Sequence, residues 1–351
     1  MQTACIALRS ARSVRRALVT STVLTAATLA LAAAHGLAVK DLGSLPGNTS
    51  QASGINERGQ IVGFSNVANG DQHATLYENG KVIDLGTLPG GTNAAATAIN
   101  ERGQIIGWSA VADNQQAVLN EHAFLFEHGA MTDLGTLPGG KTSFASAINS
   151  RGQVVGWSLN SVTSTQAVLF EKGKVIDLGT LPGGFFSAAN GINERGQVVG
   201  WSTSASSGMD HAFLYEHGAM KDLGTLPGGN SSDAFAINER GQIVGQASVA
   251  SGYQHAFLFE HGTMTDLGTL PGGTISAANG INEQGQIVGT STAADGNFHA
   301  FLFEHGVMTD LGMLPGGTTS SASAIDSRGQ VVGYSGTPYS PWHAVIWKRE
   351  R

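Results

Sequence analysis

From residue 38 to the end, apolar residues come in short runs of four to six, each closed by Gly, Asn or a Pro-Gly pair. No stretch in this part repeats its apolar positions at the helical period, so the pattern predicts strands throughout. Residues 234–270 show the unit. Ala234 to Asn238 reads as strand A, Gln242 to Ala247 as strand B, His255 to Glu260 as strand C and Thr263 to Leu270 as strand D. Strand C, with Ala256-Phe257-Leu258-Phe259, is apolar on both faces, as a sheet stacked between two other sheets requires. Between A and B, Asn238-Glu239-Arg240-Gly241 carries the residues of a type I turn followed by a bulge glycine. Between C and D, His261-Gly262 suits a two-residue type I′ hairpin, and Asn79-Gly80 is the favoured form in another copy.

The unit recurs seven times. Asp-Leu-Gly-x-Leu-Pro-Gly begins at Asp41, Asp84, Asp133, Asp177, Asp222, Asp266 and Asp310. An Ile-Asn pair follows in six copies and Ile325-Asp326 in the last; Gly-Gln and a His-Ala-Phe-type run come after it. A spacing of about 44 residues with four strands each points to a propeller or a solenoid. The ends discriminate between them. Val39 to Leu45 is a strand D with nothing before it, and His343 to Trp347 is a strand C with no D after it. A solenoid gains nothing from a unit split between the termini, whereas a ring closes by pairing the two pieces and loses its exposed edges. The expectation is an all-β, seven-bladed β-propeller of four-stranded antiparallel blades, with Ala38 to Gly43 paired to Trp342 to Lys348; a β-solenoid is the alternative. Small residues in strand A, such as Ala94 to Ala98, suit inner strands converging on an axis. The blades fall near residues 46–88, 89–137, 138–181, 182–226, 227–270 and 271–314, the seventh combining 315–351 with 38–45.

The 49 glycines, about twice the usual share of roughly 7%, belong to the turns of this repeat. Residues 1–34 differ. Arg9, Arg12, Arg15 and Arg16 precede an apolar run, Ala17 to Ala34, that ends in small residues. This is the order of a secretory signal, with cleavage expected after Ala34 and an uncleaved anchor as the alternative. The expected destination is periplasm, cell surface or medium. Cys5, the only cysteine, leaves with the leader. Loss of the four arginines takes the formal charge from −7 to −11, which disfavours nucleic acid. No membrane span is expected in the mature part, and a monomer is.

Antiparallel strands put the A–B and C–D turns on one rim and the B–C loops and D–A connections on the other. The turns keep their length; the B–C loops differ in sequence, and the second carries an insertion between Ala110 and Glu121. Variable loops on a constant scaffold mark the surface that carries specificity. Aromatic residues fall on that side: Phe144, Phe185, Phe186, Phe235, Tyr253, Phe298, Tyr339 and Trp342. All but Phe235 are taken as candidate ligand contacts, for a glycan or a protein.

The copies resemble those of the HAF-repeat family of extracellular bacterial proteins. The resemblance rests on His122-Ala123-Phe124, His211-Ala212-Phe213, His255-Ala256-Phe257 and His299-Ala300-Phe301, with His73-Ala74-Thr75, Gln166-Ala167-Val168 and His343-Ala344-Val345 as departures. It implies export and a repeat fold, and brings no activity. The blade plan is also similar to kelch repeats, which implies interaction more often than catalysis.

The tripeptide histidines and the Asp-Leu-Gly aspartates invite a metal or proton-transfer reading. Counting back through the C–D turn sets Phe213 opposite Asp222 and His211 opposite Gly224, so that each His meets its Asp in a buried structural tie. The ties expected are His73, His122, His211, His255, His299 and His343 with Asp84, Asp133, Asp222, Asp266, Asp310 and Asp41. Repetition around a ring suits structure better than catalysis, and no metal or other cofactor is expected. The His128, His217, His261 and His305 set sits in an exposed turn. Rim carboxylates Asp71, Asp113, Glu121, Asp210, Asp233 and Asp295 keep a carbohydrate-active enzyme open as an alternative. No Ser-His or Cys-His motif stands out, and no catalytic residue is assigned. A structural spacer is the third reading.

Overall fold

In a computed structural model of the chain, residues 36–111, 120–162, 164–205, 208–337 and 341–349 are described. Residues 1–34, where a leader is expected, Asp113 and Tyr339 lie outside them. The protein is a seven-bladed β-propeller. Each blade is a four-stranded antiparallel sheet in the order A-B-C-D. Blades 1 to 6 span residues 50–86, 94–133, 143–179, 187–222, 232–268 and 276–310. In blade 4 the strands are Ser187–Ile192, Val198–Thr203, Asp210–Glu216 and Ala219–Asp222. Blade 7 takes Thr319–Ile325, Val331–Gly336 and His343–Arg349 from the end of the chain and Leu37–Asp41 from its beginning. The two ends pair antiparallel, Leu37 with Arg349 through Asp41 with Val345. A further bond runs from the N–H of Leu42 to the carbonyl of Ala344, 2.9 Å. Consecutive strands A touch one another all the way round, the last against the first, so the ring is closed with strand A innermost.

Local chemistry explains why these segments fold so. His261 and Gly262 both have positive φ, 51° and 79°, as a type I′ turn demands. Strand A carries a bulge in every blade; in blade 4 it lies between Ala189 and Gly191. The bulge drives strand A onto strand B so closely that a Cβ at Gly200 would lie 1.9 Å from the carbonyl oxygen of Ala188. That contact is why strand B reads Val-Val-Gly.

The core lies between blades. Val199, Ala212, Leu223 and Leu226 of blade 4 pack on Ala234, Ile243, Ala247 and Phe257 of blade 5. Burying a Phe257-sized side chain contributes roughly 1.5–3 kcal/mol, and equivalent clusters recur around the ring. Serines pin each interface. The hydroxyl of Ser232 accepts the N–H of Ala212 at 2.8 Å and donates to the carbonyl of Gly224 at 2.6 Å, both in the preceding blade. Among the described residues no helix is long and apolar enough to cross a membrane.

Candidate functional site

The two rims of the ring spend their polar groups differently. On the rim of the A–B turns, Asn193 is 3% exposed and fully engaged. Its Oδ1 accepts the N–H groups of Arg195 and Gln197 at 3.1 and 3.0 Å. Its Nδ2 donates to Gln197 Oε1 at 2.8 Å and to the carbonyl of Asn238 in the next blade at 3.2 Å. The same asparagine links each of blades 1 to 6 to its successor. Asp326 of blade 7 has no amide N–H to pass on, and binds Arg328 instead at 2.8 Å. The seam back to blade 1 is bridged by Ser327, whose N–H donates to Glu57 at 2.8 Å. This rim is structural.

The opposite rim is asymmetric. At its end of the inner strands, one residue of strand B lies half-buried in every blade, directly across from one of strand A. Blades 1 to 4 and 7 place aromatics there: Phe64, Trp108, Trp157, Trp201 and Tyr334. Blades 5 and 6 place Gln246 and Thr290. The positions also interlock across blades. Trp108 lies 6.4 Å from Phe144 of the next blade, and Phe144 stacks on its own partner Trp157 at 5.9 Å and 2°. Thr290 of blade 6 shares a hydrogen bond with Ser321 of blade 7. The result is a collar, aromatic over five blades and polar over two.

Asp233 sits at the change from one to the other. Burial pushes its carboxyl above the usual range, against a hydrogen bond from Gln246 Nε2 (2.9 Å), and the charge of Asp210 adds to the rise. Burial likewise raises Asp210, with His211 opposing. Asp210, from the neighbouring blade, thus bears on Asp233. Asp71 is tied to Asn69 within its own loop, and Asp295 to Asn297 and His299. Asp113 lies outside the described residues.

The aromatic candidates share this rim without converging on one pocket. Phe185 and Phe186 are 73% and 44% exposed and head blade 4, beside Thr203, whose strand-C partner is Asp210. Tyr253 and Phe298 are exposed in blades 5 and 6. Trp342 stacks on Tyr334 at 4.9 Å. Phe144 is no loop residue: it belongs to strand A and to the collar, and Phe235 is also a strand A residue. Tyr339 lies outside the described residues. The strand-B aromatics went unnoticed in the sequence, although Gly-aromatic-Ser in five copies was the signal.

The six histidines lie within 2.6 to 2.9 Å of their aspartates through Nδ1. Two details correct the sequence-based geometry. Asp222 faces Phe213 as expected, but where the pairing runs on past the aspartate the glycine of Asp-Leu-Gly does not face the histidine. Leu of Asp-Leu-Gly is bulged, so the glycine falls opposite Ala, as Gly268 opposite Ala256 shows. The pairs are also not buried, since the aspartates are 38–43% exposed. The hydrogen bond that His122 donates to Asp133 raises His122, and that donated to Asp310 raises His299. Asp133, though partly desolvated, is held below the usual range by His122 and Gly135. In blade 3 Gln166 replaces the histidine and donates to the carbonyl of Phe185. Among the described residues no cluster of three or more His, Cys, Asp or Glu is arranged to hold a metal.

Residues 140–309 match the family described as a protein of unknown function, DUF3466. No curated protein sequence matches the chain. Among solved structures it is similar to the β-propeller domain of the Trilobed protease from Pyrococcus furiosus, a domain with an open velcro topology. The identity is 10%, over 86% of this chain and 96% of that one, with a TM-score of 0.51. It is also similar to a Mycobacterium tuberculosis puromycin-hydrolyzing peptidase, at 12% identity over 90% of this chain, with a TM-score of 0.52; there it spans about half the length, 52%. At these identities the likeness is one of fold.

Proposed function

We propose that this propeller is an exported, non-enzymatic binding scaffold that takes a glycan or a protein on the rim of its B–C loops and D–A connections. One observation carries the reading. Seven equivalent positions at the inner strands would be identical if they served only the fold. Instead they make an aromatic arc that gives way, over blades 5 and 6, to Asp233, Gln246 and Thr290. Aromatic faces stack on sugar rings or anchor peptide side chains, and the polar arc fixes orientation. The exposed Phe185, Phe186 and Tyr253 extend that surface outward. Export rests on the composition of residues 1–34 and on the likeness to HAF repeats.

Glycan and protein arrays probed with the mature chain, and with Phe186→Ala, Tyr253→Ala and Trp342→Ala, test this. The expected outcome is a specific ligand whose binding weakens at least about tenfold, or 1.4 kcal/mol, in one of the variants. Binding indifferent to all three, with the fold intact, would sink the reading. The influence of Asp210 on the raised carboxyl of Asp233 favours a second reading, a carbohydrate-active enzyme. Turnover of a polysaccharide that vanishes in both Asp210→Asn and Asp233→Asn would replace the first reading with the second.

A further inference from the structure

The net negative charge of the disc is not shared between its two sides. The side of the B–C loops and D–A connections takes the ends of strands B and D and the starts of strands A and C. Among the described residues it holds twelve carboxylates against three lysines, Lys40, Lys141 and Lys221. The side of the A–B and C–D turns also holds twelve carboxylates, but sets eleven lysines and arginines against them. With the histidines neutral, the second side is close to balance and the first carries almost all of the charge. No B–C loop contains a basic residue, and Lys141 is alone among the D–A connections.

Phe185 and Phe186 stand exposed on the acidic side, where other D–A connections carry Thr, Asn, Ser, Lys or Ile. Their backbone is engaged throughout. Both N–H groups donate to Oγ1 of Thr203, at 2.8 and 3.0 Å. The carbonyl of Phe186 accepts the N–H of Thr203 at 3.0 Å, and that of Phe185 accepts Nε2 of Gln166 at 3.0 Å. A sugar stacked on an aromatic ring needs polar groups placed beside it for its hydroxyls. Here those of the backbone are spent, and an apolar side chain requires none. Asp210 is the strand-C partner of the same Thr203, so a carboxylate belongs to this corner of the rim.

We propose that the partner of this rim is a polypeptide, engaged through a segment in which basic side chains flank an apolar one. The proposal rests on the rim reading above and names the chemistry of its ligand. The apolar side chain anchors on Phe185 and Phe186. Its basic neighbours answer the carboxylates of the rim, Asp210 first among them. The summed charge of this side also steers a cationic partner to it and away from the near-neutral side. A second copy of the chain does not fit, since it offers either the same acidic rim or the near-neutral one.

The test is equilibrium binding of the mature chain to three probes. These are a short peptide of Lys, Leu and Gly, its counterpart with Glu for Lys, and an oligomer of glucosamine, which has amines but no apolar side chain. Saturable binding is expected with the basic peptide, weakening about tenfold or more between roughly 0.05 and 0.5 M salt. Asp210→Asn combined with Asp233→Asn, and Phe185→Ala by itself, should each weaken it at least about fivefold. Glu194→Gln combined with Glu239→Gln removes as much charge from the other side, where the amide oxygens can still accept the N–H groups of Ser150 and Glu194. That pair should leave binding within about twofold of the wild type. No saturable binding of the basic peptide, equal binding of the acidic one, or a glucosamine oligomer bound as tightly would overturn the proposal. Equal losses at the two carboxylate pairs would do the same. A neutral or acidic ligand found on the arrays and released by Phe186→Ala would overturn it while leaving the rim reading in place.

Discussion

The rim of the A–B turns and the rim of the B–C loops are made by the same seven repeats, yet they obey different rules. On the first, Asn, Gly and Gln recur in nearly every copy because each asparagine has four partners and one of them is in the next blade. On the second, equivalent positions hold Trp, Phe, Tyr, Gln and Thr. A position whose every hydrogen bond is spoken for cannot drift. A position at the mouth of the ring that carries no such set of hydrogen bonds is free to differ from copy to copy.

The sharpest way to break this contrast is at the seam. Deleting residues 35–45 removes the outer strand of blade 7 and exposes the edge of His343–Arg349. A loss of several kcal/mol is expected, read as a lower melting temperature and a tendency to aggregate, because a row of backbone donors and acceptors loses its partner. Unchanged melting would mean that closure contributes nothing. Next comes the asparagine wheel. Asn193→Ala strands two partly buried N–H groups and a carbonyl of blade 5, and should cost about 2–3 kcal/mol by denaturant unfolding. Phe186→Ala on the other rim should stay within about 0.5 kcal/mol of the wild type. Equal costs at the two sites would erase the distinction between the rims.

A modest, pH-dependent effect belongs to the His–Asp ties. His122 and His299 are raised above 6.5 in the folded chain, so their stabilisation is complete below that value and lost as pH rises through the folded value. Asp133 is lowered below 3.8, so its share is present above that value and lost as pH falls through the folded one. Stability should therefore crest between about pH 4 and 6.5 and decline toward pH 8, by no more than about 1 kcal/mol per tie given the exposed carboxylates. A His122→Gln, His299→Gln double variant should flatten that decline; an unaltered slope would assign it to other groups.

The closed ring was legible in the sequence because its turn chemistry is local. Asn-x-x-Gly and His-Gly state their dihedral angles in the residues themselves, and the split seventh unit states the topology. The exposed candidates Phe185, Phe186 and Trp342 were legible for a similar reason, since they lie outside the strands. What escaped notice depends on the ring as a whole. Trp108, Trp157 and Trp201 look like ordinary strand residues. They become a collar only when seven inner strands meet, and Trp108 acquires its neighbour Phe144 across a blade boundary. The register of the outer hairpin escaped for another reason. Counting back from the turn assumes a regular ladder, and a bulge such as that at Leu267 adds a residue that no count of alternating faces reveals.

Leu37 and Arg349 are paired residues at one end of the closing seam, so the chain enters and leaves the disc at a single point on its structural side. A tether at either terminus, a membrane anchor or a neighbouring domain alike, would hold the disc from beneath and leave the collar turned outward. Tension applied to both termini would part the seam one rung at a time, as a zip opens, which is the direction in which a sheet resists least.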